Sequence, residues 1–314
     1  NNLLCSNYKY KKKYVGLVKA FKMKNTPEII LTLIFCCQFT TTQAQYTDVI
    51  NSNRPGASQS AFSVGTKVLQ FELGPYLVEE KRNVYPNYEV TGYGVDFSVH
   101  YGIWKEALEI NIQGTYQNDT KSYNSNSALE NKRSDFKNFN IGAKYLVYDP
   151  NKNKDDKPNI YSYHANRGFK WASLIPAVSI ATGVNFDSKN NPYTAVKVEG
   201  LSFRGTLITQ NNFAGGWVLV TNLTLDRIGS DQRDLNYILS LTHSFNSKWV
   251  MFGETQGIKS DYYADNLFRF GAGYLLSKNL QLDTALTLNT KDTPSVINLS
   301  FGASYRIDRH DTSN

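Results

Sequence analysis

Beyond residue 44 the chain has no cysteine; all three, Cys5, Cys36 and Cys37, precede it. A disulfide framework and a thiolate metal site are therefore excluded from the remaining 270 residues. Proline is scarce, with 9 in 314 residues, and mean hydropathy is -0.43, so a bundle of transmembrane helices is excluded too. An excess of positive charge is missing once the amino terminus is set aside. Of the chain's charges, seven lysines and a single acid, Glu28, lie in residues 1–44; the rest carries 27 basic and 26 acidic groups. That balance leaves no electrostatic footprint for a nucleic acid. What is abundant is aromatic: 21 Tyr, 17 Phe and 4 Trp. Such a composition argues against disorder and for a β-rich chain.

The amino terminus reads as an address. Met23 is followed by Lys24, then by an apolar stretch of 11 residues, Ile29 to Phe39, then by Thr42-Gln43-Ala44 with small residues at -3 and -1. This is the pattern of a secretory signal peptide over 23–44, cleaved before Gln45. The stretch is too short for a helix of about 20 residues that spans a bilayer. Residues 1–22, with Lys11-Lys12-Lys13, are read as upstream sequence that is not part of the working protein.

From residue 66 onward the chain alternates with period 2. Leu69, Phe71, Leu73 and Leu77 share a face against Gln70 and Glu72; Tyr93, Val95, Phe97, Val99 and Tyr101 oppose Gly94, Asp96, Ser98 and His100. The same pattern recurs over 107–116, 137–148, 201–207, 217–226, 235–242, 268–276, 280–288 and 297–306. Two segments are less regular. Residues 169–183 are partly apolar on both faces, and over 249–258 Glu254 shares a face with Val250 and Phe252. A carboxylate facing lipid is costly, so Glu254 is assigned inward and Trp249 and Met251 outward. The count is 12 strands.

Alternation also fits a soluble sandwich. Strands of 10 to 12 residues, short turns at 246–248 and 277–279, and aromatics at strand ends (Tyr93, Tyr101, Trp217, Phe245, Trp249, Tyr274, Tyr305) favour a membrane. The reading is an all-β, transmembrane antiparallel β-barrel of the cell outer membrane. It comprises a plug-like periplasmic segment over 45–65, a barrel over 66–307 and a tail over 308–314. An even count puts both termini on the periplasmic side, with turns at 102–106, 149–167, 210–214, 246–248 and 277–279. Loops at 78–89, 117–136, 184–194, 228–234, 259–266 and 290–294 are then extracellular. The turn 149–167 is long for its side, which implies either an insertion or a slip in parity.

Residues 47–74 carry Asn53-Arg54-Pro55, Ser58-Gln59-Ser60, Val64 and then Gln70-Phe71-Glu72. This stretch resembles the start of the outer-membrane protein family labelled for the MetA pathway of phenol degradation, whose Bacteroidota members are commonly called transporters. The family often has Asp where Asn53 stands. The end of the chain is also similar: 270–289, a turn with Asp292 and Pro294, and a closing strand ending Tyr305-Arg306. The resemblance implies an outer-membrane barrel and passage of small molecules. It brings no catalytic residues with it.

Candidate chemistry lies in inward charges: Asp96, Glu109, Lys144, Arg204, Glu254, Arg269, Asp283 and Arg306, with His100 beside Asp96. These either line a selective path or pair across the lumen and close it. Arg54, with five donors and no acceptor, needs an anion in a confined site; Glu72 and Asp283 are the expected carboxylates. The segment around it is either a lid at the barrel mouth or a mobile leader or wall clamp. His100, His164, His243 and His310 show no metal-ligand spacing, and no cofactor or metal is expected. The leading function is a non-enzymatic channel or passive transporter for small solutes, with a hydrophobic or aromatic class in view, in contact with outer-membrane lipid. The alternative is a structural or assembly barrel with a closed lumen. A third class, a phospholipase-like barrel, would need His243 close to Ser244 or Ser247.

Overall fold

In the computed structural model, the described residues are 49–124, 129–152, 171–195, 198–230, 232–260 and 264–310. The signal segment, residues 1–22, His164 and the tail from 311 lie outside them.

Twelve strands form a closed antiparallel barrel in which each strand pairs with its sequence neighbours and the first pairs with the last. They are β1 (Val68–Arg82), β2 (Tyr88–Gly102), β3 (Leu108–Tyr123), β4 (Leu129–Tyr148), β5 (Ala177–Asp187), β6 (Gly200–Phe213), β7 (Trp217–Ile228), β8 (Asp234–Ser244), β9 (Trp249–Lys259), β10 (Ala264–Ser277), β11 (Leu280–Asn289) and β12 (Ser295–Asp308). Closure runs from Val68 opposite Asp308 to Lys81 opposite Ser295. A closed ladder leaves no backbone edge, the condition for a sheet surrounded by lipid.

The alternation sorts side chains by medium. On β1, Leu73 and Leu77 are 54% and 60% exposed on the outside, whereas Gln70 and Glu72 between the same turns are 1% and 4% exposed inside. A soluble protein would not leave so large an apolar outer face uncovered; in a membrane it meets hydrocarbon. At the end that carries both barrel termini, Trp217 stacks on His243 at 4.2 Å between ring centres and Trp249 lies 4.7 Å from Tyr274. These rings sit where an interfacial girdle belongs.

Two expectations change and one alternative is resolved. The fifth strand is Ala177–Asp187 rather than 169–183; Trp171–Leu174 forms a 3-10 turn, and Pro176, which lacks an N–H, stands before the ladder. Much of the polar sequence at 78–89 and 117–136 is strand. Here β1 to β4 extend to 15, 15, 16 and 20 residues, with Lys81 paired to Glu89 at 2.8 Å and Arg133 to Asp119 at 2.7 Å. Polar residues on both faces remove the alternation signal, yet cross-strand pairs and the backbone ladder persist past the apolar belt. Finally, β4 and β5 are antiparallel neighbours, so the parity does not slip at the long turn. Both its ends lie at the terminal end of the barrel; residues 153–167 are outside the described ones.

Candidate functional site

Residues 49–66 do not trail away from the barrel. They enter it and are bound by inward side chains from nearly every strand. Near the start, Ile50 donates its N–H to the Lys278 carbonyl at 2.8 Å, and the Ser52 hydroxyl and the Asn53 N–H both donate to Glu72 Oε1 at 3.1 Å. Farther on, the Gln59 N–H donates to Asn222 Oδ1 at 2.6 Å while Asn222 Nδ2 donates back to the Gln59 carbonyl at 3.0 Å. Gln210 Oε1 accepts from Ser60 Oγ and from the Ala61 N–H. Lys144 Nζ donates to the Ser60 and Phe62 carbonyls at 3.1 and 2.9 Å. Ala61 drops into a small apolar niche of Ala107, Leu146, Ala177, Ala181 and Ile208, with Phe62 packed against it. That niche explains why residues 169–183 look apolar on both faces: the inner one receives the segment.

The reversal at Arg54-Pro55-Gly56 is held by two carboxylates. Arg54 Nε and Nη2 donate to the two oxygens of Asp283 at 3.3 and 3.1 Å. The guanidinium lies where Gly74 and Gly302 face the lumen, and a Cβ on either would run into it. Paired donors on one carboxylate with no room to shift make a fork-to-fork contact. Glu254 accepts the N–H groups of Ala57 and Ser58, each at 3.1 Å, and the Arg269 Nη1 donor at 2.8 Å. Glu254 thus satisfies a turn of backbone that has no strand partner.

The inward charges named from sequence divide into groups. Glu109 joins His100 at 2.7 Å and Lys144 at 3.3 Å, and accepts the Val64 N–H at 3.0 Å. His100 therefore meets Glu109, not Asp96. Asp96 instead accepts from Thr115 Oγ1 at 2.6 Å. Arg204 approaches Asp226 at 3.4 Å. Arg306 donates to Asn279 Oδ1 at 3.1 Å near the terminal rim. These wall pairs join adjacent strands rather than crossing the lumen, because neighbouring strands lie about 4.8 Å apart and opposite walls are beyond side-chain reach. What stands between the walls at the terminal end is the backbone of residues 50–64, not a set of charge pairs from wall to wall. Of the two carboxylates expected for Arg54, Asp283 takes it, and Glu72 instead holds Ser52 and Asn53; Asn222 and Gln210 had no distinctive signal beyond apolar neighbours on the inward face, Val220 and Ile208.

Two cavities flank the reversal. One, of about 270 Å³ at the terminal side, is lined by Val218, Val220, Phe252, Thr242 and Ser244. The other, of about 460 Å³ toward the far end, is lined by Tyr76, Asp96, Lys137, Arg204, Gln256 and Arg269 among others. Asn53, Arg54, Pro55 and Gly56 border both. Ser244 faces the lumen cavity while His243 stacks outside on Trp217, so these two do not form a hydrolase pair. Among the described residues no three His, Cys, Asp or Glu come together to hold a metal.

A model of the family described as Putative MetA-pathway of phenol degradation matches residues 52–307. No curated protein matches the sequence. Among solved structures, an outer membrane channel from Pseudomonas putida F1 is similar over 82% of this chain and all of its own, at 12% identity and a TM-score of 0.48. The TodX monoaromatic hydrocarbon channel is similar over 79% of this chain and 92% of its own, at 11% identity and a TM-score of 0.48. The translocator domain of the autotransporter NalP from Neisseria meningitidis is similar over 81% and 90%, at 10% identity and a TM-score of 0.47.

Proposed function

The chain belongs to the family described as Putative MetA-pathway of phenol degradation, and from that premise we propose that it is an outer-membrane channel for small solutes with an apolar or aromatic body. In this reading residues 45–65 act as a lid at the periplasmic mouth. The observation that carries it is the pair of cavities inside a closed barrel, both bordered by Asn53–Gly56. In this reading a crossing solute displaces that reversal. The activity is passive and non-enzymatic, with membrane lipid outside and the solute inside as the partners.

One observation favours the closed-lumen alternative: the dense hydrogen bonding of residues 50–64 to the wall. The two readings separate in planar bilayers. Deleting 47–63 should raise small-ion conductance, and unchanged conductance in a correctly folded deletion would sink the lid. The cysteine-free barrel permits a sharper version. Ser52 Oγ and Ser304 Oγ are 2.6 Å apart, so Ser52→Cys with Ser304→Cys should tether the segment's start. If only the reversal moves, solute uptake into liposomes survives the tether; if uptake stops until reductant is added, the whole segment has to leave.

A further inference from the structure

The far cavity differs chemically from the rest of the lumen. Its wall holds two register irregularities, and each presents a cation. Between β3 and β4, Thr115 pairs with Asn138 and Tyr116 with Phe136, so Lys137 is the extra residue with no partner across the ladder. Between β6 and β7 Phe203 pairs with Ile228 and Gly205 with Leu225, so the extra residue is on β7 and Arg204 stands opposite Asp226 and Arg227. Bulges of this kind re-aim side chains. Both cations line the cavity.

The charges facing the cavity are Arg54, Glu72, Asp96, Lys137, Arg204 and Arg269. Most are already engaged. Arg54 holds Asp283, and Arg269 holds Glu254. Glu72 accepts from Ser52, Asn53, Gln70 and Ser98, and Asp96 accepts from Thr115. Lys137 has no ion pair among the described residues. Arg204 keeps its Nε buried and without a partner, its Nη2 being 3.4 Å from Asp226. Gln256 Oε1, on the same cavity wall, is buried without a partner as well. On each side of Gln256 stands an apolar inward residue, Ile238 on β8 and Leu267 on β10, with Ile258 one inward step along β9.

We propose that the far cavity is a binding site for small amphipathic carboxylates. The carboxylate is received by Arg204 and Lys137, and the apolar or aromatic body lies on Ile238, Ile258 and Leu267. The Arg204 side chain is 27% exposed and its one ion pair is long at 3.4 Å, so its guanidinium has donors to spare for a carboxylate in a charge-assisted bond. A purely apolar solute would leave those donors as they are and gain only the isoleucine–leucine patch. A cavity of about 460 Å³ falls within the range of small-molecule sites. The proposal rests on the channel reading and narrows its solute to an anion.

The test is calorimetric titration of the folded mature barrel in detergent with benzoate, benzyl alcohol and benzylamine. Benzoate should bind at least tenfold tighter than either isostere. Arg204→Gln and Lys137→Gln should each weaken benzoate at least fivefold and leave benzyl alcohol unchanged, with heat-modifiability on gels checking that each variant is folded. The site is overturned by equal or tighter binding of benzyl alcohol, by a preference for benzylamine, which would place Asp96 in control, or by no benzoate binding at millimolar concentration. It is overturned equally if both folded variants bind benzoate as before. Liposome swelling with uncharged solutes separates the two levels. Swelling without benzoate preference removes the site alone; no swelling from a folded barrel lacking 47–63 removes the channel.

Discussion

The terminal half of the lumen and the far half are made by the same twelve strands, yet they treat their polar groups differently. In the terminal half, Glu109, Lys144, Asn222, Gln210 and Asp283 all bond to residues 50–64. In the far half, Arg204 Nε, Gln256 Oε1 and Asn298 Oδ1 are buried with no partner, and each lines the open cavity. A strand wall satisfies its own backbone but not every side chain it points into a wide lumen. Something has to meet them: a segment of the chain in one half, solute or water in the other. The difference teaches that the alternation of a barrel strand specifies polar or apolar, and that occupancy of the lumen is a separate matter.

The largest test of that contrast compares matched carboxylates. Glu254→Ala strips the acceptor from the Ala57 and Ser58 N–H groups and leaves Arg269 unpaired. It should cost about 3–5 kcal/mol in denaturant unfolding in micelles and raise ion conductance. Asp96→Asn in the far half, which keeps an acceptor for Thr115, should cost no more than about 1 kcal/mol. Equal costs would erase the distinction between the halves.

Next in size is a check on the faces themselves. Phe270→Arg places a guanidinium on the outer surface and should cost about 2–4 kcal/mol near the bilayer midplane. Ser300→Arg, directed into the far cavity, should assemble normally on heat-modifiability gels. Failure of both would mean that the far half is packed rather than open.

Smaller still is the slot for Arg54. Gly74→Ala puts a methyl into the guanidinium's place and should destabilise by about 1–3 kcal/mol while raising conductance. Gly253→Ala on β9 meets only the Phe270 ring at 3.7 Å and should stay within about 0.5 kcal/mol. The smallest effect belongs to the far rim. Lys81 and Glu89 are both about half exposed, and Lys81→Ala should leave the unfolding midpoint unmoved, because solvent and salt screen such pairs.

The barrel was legible because its signal is local. Leu69, Phe71 and Leu73 against Gln70 and Glu72 fix a strand and its two faces without reference to anything distant, since successive side chains point to opposite sides. The same rule placed Glu254 inward from the cost of a carboxylate in lipid. The polar ends of β1 to β4 were not legible, because Glu79-Glu80-Lys81-Arg82 offers no contrast between faces to read. Nor could spacing choose the partner of His100: Asp96 is nearer in sequence on the same face, but Glu109 stands on the adjacent strand, and distance across a ladder is shorter than four residues along it.

By itself, then, the sequence determined twelve strands, their inside and outside, and the need for closure, because each follows from the period of the chain and the medium it meets. Only the tertiary structure decided that residues 49–66 fill the lumen at the terminal end, that Arg54 takes Asp283 and Glu254 takes the backbone at 57 and 58, and that the far half stays open. Those outcomes depend on which side chains from widely separated strands converge when the barrel closes. Asn222 and Gln59 or Arg54 and Asp283 are brought within bonding distance by the circumference of the sheet, a geometry that no local pattern of residues encodes.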